Sequence, residues 1–193
     1  MTVSAPPIPL ATWRELDWRM LLPVGDLGRV LYVGDSSELV LRALERASAE
    51  VRVVSLAAFR STSDASEADV VIVASPRAIR APDLRRLFCA VRPGAWLVLQ
   101  VHARGSLTAG TWCRRAQRAG FTAVSAQWHA PSFRDCRYIV PLANRTSIRV
   151  VLGRYHDVRF GLAKSIGARA LLAVGAIGLI ARDATILVQR PAS

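Results

Sequence analysis

The feature that most constrains this chain is an alternation. Short aliphatic and β-branched runs, RVLYV at Arg29–Val33, VRVVSL at Val51–Leu56, DVVIVA at Asp69–Ala74 and WLVLQV at Trp96–Val101, are separated by stretches of helical length. Runs of this kind read as strands buried on both faces. Between them, Ser37–Ala49 places Val40, Ala43, Leu44 and Ala47 on one helical face. Ser36 or Ser37 would cap that helix, and Glu38 falls in its first turn, where a negative charge suits the helix dipole. Pro82–Val91 opens with proline at a helix start and stops at Arg92–Pro93–Gly94. Leu107–Ala119 reads as a helix closed by Gly120, and Phe121–Trp128 as the next strand. Strands alternating with helices specify a mostly parallel sheet covered on both faces, a doubly wound α/β domain.

After residue 130 the alternation breaks. A short apolar run at Tyr138–Leu142, a helix from Thr146 and a long apolar stretch, Phe160–Ala181, precede a last strand at Ala184–Gln189. The uncharged part of the long stretch, Ala170–Ala181, spans twelve residues, whereas a bilayer crossing needs about 20. It is expected to pack on the domain, or to lie on a membrane surface or a partner. The opening residues, MTVSAPPIPLATW, have two adjacent prolines and neither a basic start nor a long apolar run, which predicts a loose arm and not a signal peptide. With 193 residues, 52% of them hydrophobic, one core is expected. The organisation predicted is an arm over 1–28 and a single domain over 29–193 that carries 130–183 as a helical insertion.

The net charge of +12 is unevenly placed. Residues 1–101 hold 12 Arg against 11 Asp and Glu; residues 102–193 hold 14 Lys and Arg against 3 Asp. Such a one-sided basic field attracts phosphorylated ligands, anionic lipid or an acidic protein, although a general bias towards Arg produces the same count. Arg154, Arg159, Lys164 and Arg169 flank the apolar stretch and are candidates for contact with a partner protein or an anionic membrane. Nucleic acid is disfavoured, because the Arg residues are scattered and not interleaved with aromatics. Cys89, Cys113 and Cys136 are odd in number and form no C-x-x-C pair, so they predict idle thiols in a reducing cytoplasm, with no disulfide frame and no metal site. The expected location is cytoplasmic or peripheral to a membrane.

In doubly wound sheets ligands bind beyond the carboxyl ends of the strands. The residues there are Gly34–Asp35–Ser36, Ser55, Ser75–Pro76, His102 and Trp128–His129, most of them small or polar. A histidine at such an end suits proton transfer near neutral pH. His129, with Trp128, Ala130 and Pro131 as pocket walls, is the first candidate and His102 the second; the alternative for each is a strand-end histidine bonded to backbone or solvent. No G-x-S-x-G elbow, Walker loop, zinc spacing or paired-carboxylate pattern occurs. A dinucleotide oxidoreductase is disfavoured by the missing second and third glycines of G-x-G-x-x-G.

The order of elements resembles the class I S-adenosylmethionine-dependent methyltransferases. RVLYVGDSSELVL is similar to the family's first motif, and ADVVIVASP to the strand that leads to the catalytic crevice. LRRLFCAVRPGAWLVLQV is similar to the helix, turn and strand that follow, and GFTAVSAQW with ATILVQRP to the closing pair. The resemblance covers residues 29–129 and 184–191. DWRMLLP, WHAPSF and YIVPL further resemble methyltransferase-like domains of bacterial biosynthetic and surface-polysaccharide clusters. What it implies is a seven-stranded Rossmann-like sheet with an antiparallel last strand. It also implies S-adenosylmethionine held by Gly34, Asp35 and Ser36 at its methionine end, by Ser55 at the ribose and by Ser75 and Pro76 near the methyl group. His129, with His102, would orient or deprotonate a small or phosphorylated acceptor.

The sequence also departs from the family. Tyr32 stands where the first strand usually ends in an acid, Gly34 is the loop's single glycine, and Ser55 stands where an acid usually holds the ribose. Between Leu56 and Asp69 there is barely room for the usual third strand, although Asp64 or Glu67 could supply a carboxylate. Two functions therefore stand side by side. One is an active methyltransferase; the other is a catalytically silent module that docks a partner enzyme or an anionic membrane through its basic insertion. The polar residues kept at the strand ends favour the first, the departures the second.

Overall fold

The computed structural model of the chain describes residues 6–61, 67–74, 76–102, 108–154, 161–173, 177 and 181–192. The elements run α1 (Leu10–Glu15), a 3-10 turn (Asp17–Leu21), β1 (Arg29–Val33), α2 (Glu38–Glu45), β2 (Glu50–Val54), α3 (Leu56–Ser61) and β3 (Ala68–Val73). A second 3-10 turn (Pro76–Ala78) is followed by α4 (Ala81–Ala90), β4 (Val91–His102), α5 (Ala109–Arg118) and β5 (Thr122–Ala130). Then come β6 (Tyr138–Pro141), α6 (Arg145–Gly153), α7 (Gly161–Ala173) and β7 (Asp183–Gln189).

One sheet carries all seven strands in the order β2-β1-β3-β4-β7-β5-β6. β1 to β4 are parallel, and β7 inserts antiparallel between β4 and β5, as the closing pair predicts. The count of seven is reached differently from the expectation. Between β2 and β3 the described residues form the helix α3, and the seventh strand is β6, which pairs antiparallel with the end of β5. The insertion thus supplies one strand as well as helices. Its run Tyr138–Val140 sets apolar residues directly opposite Trp128–Ala130, so the hairpin satisfies backbone groups that would otherwise form an open edge.

Alternation along the strands defines the two faces. On β1, Val30 and Tyr32 join Val70, Ile72 and Val98 under α2 and the N-terminal segment, while Leu31 and Val33 join Val71, Leu97 and Ile186 under α4 and α5. A third cluster packs Ile148, Leu152 and Leu172 of α6 and α7 on Trp128 and Val140. The N-terminal segment is not loose over its described residues. Leu16 and Trp18 are fully buried beside Tyr32, and burial of residues this large outweighs the disordering effect of the prolines before them. The first five residues of the predicted arm lie outside the described residues.

Local chemistry fixes the helix ends. Ser37 Oγ accepts the Val40 N–H at 3.3 Å to cap α2, and Asn144 Oδ1 accepts the Ser147 N–H at 3.0 Å to cap α6. Arg60 in α3 forks onto Asp83 in α4 at 3.0 and 2.6 Å, and this guanidinium is the main reason the buried carboxyl stays below the usual carboxylate range. Cys89, Cys113 and Cys136 are free thiols, the last two pushed up in pKa by burial. Among the described residues no helix is long and apolar enough to cross a membrane.

Candidate functional site

Because β2, β1 and β3 are neighbours, their carboxyl ends bring Gly34, Ser55 and Pro76 side by side. Gly34 has φ +122°, a conformation that L side chains rarely adopt, and no atom lies within 4 Å of where a Cβ would stand. Its backbone is therefore open to close approach. Asp35 is exposed, and Ser36 Oγ donates to the Ser37 carbonyl at 3.3 Å. Beneath the loop, the buried Tyr32 phenol donates to the Asp35 carbonyl at 3.4 Å; burial pushes its pKa up, and the charges of Glu15 and Asp35 push the same way. A neutral phenol thus supports the loop where the family has a carboxylate. Ser55 is exposed, and its Oγ accepts the Ala58 N–H at 3.1 Å at the start of α3. A hydroxyl used in this way retains one donor, enough for a single uncharged bond to a ribose. Pro76 is buried at the head of its turn, and Ser75 lies outside the described residues.

Further along the same edge, the register of β4 and β7 sets His102 directly opposite Asp183. His102 Nδ1 donates to Asp183 Oδ1 at 2.9 Å, and the Phe133 N–H donates to Asp183 Oδ2 at 3.2 Å. Burial alone would raise the pKa of Asp183. The hydrogen bond and charge of His102, the Phe133 amide and His129 outweigh that effect and hold the group below its ordinary value. Phe133 belongs to the β5–β6 connection, which folds back over the strand ends. Its ring stands edge-on to His102 at 5.0 Å and against His129 at 4.6 Å. The next residue, Arg134, reaches Glu15 of α1 at 3.0 Å, and Gln100 Nε2 donates to the Glu15 carbonyl at 2.8 Å. These contacts border an open cavity of about 320 Å³ lined by Glu15, Gln100, His102, Phe133, Asp135 and Asp183, together with Ser132 and Arg134.

No family model matches the sequence, and no curated protein matches it either. Solved structures do. An S-adenosylmethionine-dependent methyltransferase from Thermotoga maritima superposes with a TM-score of 0.54 at 10% identity, over 94% of this chain and 92% of that one. One from Archaeoglobus fulgidus gives 0.54 at 13% identity, over 93% and 94%. The complex between the Haloferax volcanii Trm112 methyltransferase activator and a protein assigned as a methyltransferase gives 0.50 at 11% identity, over 97% of this chain and 100% of that one. The fold is that of the class I S-adenosylmethionine-dependent methyltransferases. At such identities the likeness concerns the fold, and activity has to be argued from the site.

On this methyltransferase fold the two candidate histidines are placed very differently. His102 lines the cavity with its side chain 55% exposed. His129 is fully buried beneath Phe133 and is not among the lining residues. Its Nε2 shares a hydrogen bond of 2.9 Å with Thr185 Oγ1, while its Nδ1 has no hydrogen-bond partner among the described residues. Burial lowers its pKa to about 4 against the opposing pull of Asp183, so the ring is neutral at pH 7. The sequence reading missed Asp183, Glu15 and Gln100. Asp183 carried a usable signal: it opens the last strand, and an antiparallel last strand begins where its parallel neighbours end. Among the described residues no group of three or more His, Cys, Asp or Glu could hold a metal ion.

Proposed function

We propose that the chain is an S-adenosylmethionine-dependent methyltransferase acting on a small acceptor, of the kind found in biosynthetic pathways. The observation that carries this reading is the His102–Asp183 pair at the lip of a cavity, on the same sheet edge as the open Gly34 loop. Gly34, Asp35 and Ser36 would hold the methionine end of the cofactor, Ser55 its ribose, and Ser75 and Pro76 would border the methyl group. When bound, S-adenosylmethionine supplies an electrophilic methyl group. The protein's part is placement of the nucleophile and removal of its proton. With Nδ1 held by Asp183, proton transfer falls to His102 Nε2, an arrangement in which the carboxylate fixes the ring and its tautomer. His102 takes precedence over His129 in this role, because burial keeps the His129 ring from accepting a proton and sets it behind Phe133.

The test is calorimetric titration with S-adenosylmethionine and S-adenosylhomocysteine, repeated on Gly34→Leu. Binding with Kd on the order of 10–100 μM, lost in the variant, is expected. No heat and no thermal stabilisation at millimolar ligand would overturn the cofactor assignment.

A second reading, the catalytically silent docking module, is favoured by one observation. α6 turns Arg145, Arg149 and Val150 to solvent together, a basic face with an apolar centre suited to an anionic surface or an acidic partner. Arg154 is drawn back onto Tyr138, 5.7 Å above its ring. Arg159 and the side chains of Lys164 and Arg169 lie outside the described residues. Co-sedimentation with phosphatidylserine vesicles should be strong at low salt and abolished at high salt on this reading, and absent with phosphatidylcholine alone.

A further inference from the structure

The charge of the chain and the charge of its cavity have opposite signs. Residues 102–193 contain only three acidic side chains, Asp135, Asp157 and Asp183, against 14 Lys and Arg. Two of the three, Asp135 and Asp183, line the cavity, where Glu15 of the N-terminal segment joins them. Arg134 is bonded through Nε to Glu15, so its charge offsets that carboxylate. What remains is two carboxylates against one histidine.

The sheet beneath is built for polar contact as well. On β1 and β3 this face carries Val30, Tyr32, Val70 and Ile72. On β4, β7 and β5 the same face carries a cross-strand row, Gln100 opposite Thr185 opposite Gln127, followed by His102 opposite Asp183. Close to that row are two buried polar atoms with no hydrogen-bond partner among the described residues, Gln127 Oε1 and His129 Nδ1. Neither residue lines the cavity itself, where the polar contacts on offer come from Gln100, His102 and Asp183. Phe133, 4% exposed, gives the cavity one apolar wall.

We propose that this cavity takes a small cationic amine, its ammonium group set between Asp183 and Asp135 and its hydrocarbon part against Phe133. The site rests on the methyltransferase reading only for the fate of the amine; its selectivity for a positive charge is independent of it. A phosphorylated or carboxylated ligand would meet the like charges of Asp183 and Asp135, with the charge of Arg134 offset by Glu15, and a neutral alcohol would bring no charge to complement them.

Three probes of nearly one shape separate these cases: phenethylamine, 2-phenylethanol and phenylacetate, titrated calorimetrically into the full chain at neutral pH and low salt. The amine is expected to bind about tenfold or more tighter than the other two. Asp183→Asn should reduce that preference about tenfold and leave the alcohol unchanged. If Asp183→Asn fails to fold, Asp135→Asn, at an exposed position, takes its place and should weaken the amine alone. Equal or tighter binding of phenylacetate, no binding of any probe at about 10 mM, or an amine affinity indifferent to both substitutions would each overturn the proposal. A parallel titration with S-adenosylhomocysteine keeps the two readings apart. Amine selectivity without cofactor binding sinks the methyltransferase reading alone, and cofactor binding without amine selectivity sinks the cation site alone.

Discussion

One face of the sheet is two different surfaces. Over β1 and β3 it is aliphatic, sealed by Leu16, Trp18 and α2. Over β4, β7 and β5 it turns polar, with Gln100, His102, Asp183, Thr185, Gln127 and His129 on adjacent strands, where Phe133 packs on the histidines and Glu15 of α1 holds Gln100. The first half has the composition of a core and should behave as one. The second sacrifices apolar burial along two cross-strand rows, which a fold keeps only where the polar groups serve something beyond packing. The histidines repeat the contrast within a single cluster. His102 is oriented by a carboxylate at the cavity, and His129 is buried behind it as a neutral spacer.

The sharpest way to break the comparison is to damage the aliphatic half. Trp18→Ala removes a fully buried indole from the seal over Tyr32 and should lower the unfolding free energy by about 3–5 kcal/mol, read by urea denaturation. A loss below about 1 kcal/mol would mean that the N-terminal segment is an ornament on the sheet and not part of its core.

The polar half should answer to pH instead. His129 titrates near 4 in the folded chain against 6.5 for a free histidine, so between these values the unfolded state binds the extra proton. Stability should therefore fall as pH drops from about 6.5 to about 4, by on the order of 3 kcal/mol from this group, and the slope due to it should vanish below 4. Asp183 acts in a separate window. Its folded pKa lies below the ordinary 3.8, so its contribution is complete above that value and lost only as pH falls further. In His129→Leu the slope between pH 6.5 and 4 should flatten while the acid limb persists; an unchanged slope would show that the ring is solvated.

These windows also mark how much could be read from the sequence. Strand and helix positions were legible because burial on two faces imposes an aliphatic run and burial on one face imposes a helical repeat; Arg29–Val33 and the cluster Val40, Ala43, Leu44 lie where those periods put them. β6 was half legible, as an apolar run whose four residues give no period. The candidate site was legible as a strand-end loop on the β1 side, where Gly34, Asp35 and Ser36 follow one another in sequence. On the other side it was not. The His102–Asp183 pair is made by strand register across 81 positions, and Glu15 reaches Arg134 across 119, distances at which local pattern is silent. His129 was placed at the correct strand end, but whether a strand-end ring faces a cavity or a neighbouring phenyl depends on a loop the period does not describe.

A smaller effect isolates the polar row itself. Thr185→Val leaves Nε2 of His129 buried without its partner and should cost about 1–3 kcal/mol in urea denaturation at pH 7. Adding His129→Leu removes the orphaned group too, and the double variant should regain most of that loss, because replacing both partners by apolar groups is nearly neutral. Additive losses in the pair would show that the bond contributes only through shape.

The smallest effect tests the strap between the two halves. Arg134 and Glu15 join the β5–β6 loop to α1 across the mouth of the cavity, but the arginine side chain is 80% exposed and the glutamate 28%. An exposed pair of this kind is worth about 0–1 kcal/mol and is weakened by salt, so Arg134→Ala should barely move the unfolding midpoint. Its effect should appear locally. Without the guanidinium, the Glu15 carboxylate at the cavity is no longer offset, and phenethylamine should bind more tightly at low salt and no better than before at high salt. Weaker amine binding in Arg134→Ala would mean that the strap shapes the cavity by holding the loop closed, and that position, not charge, is what Arg134 contributes.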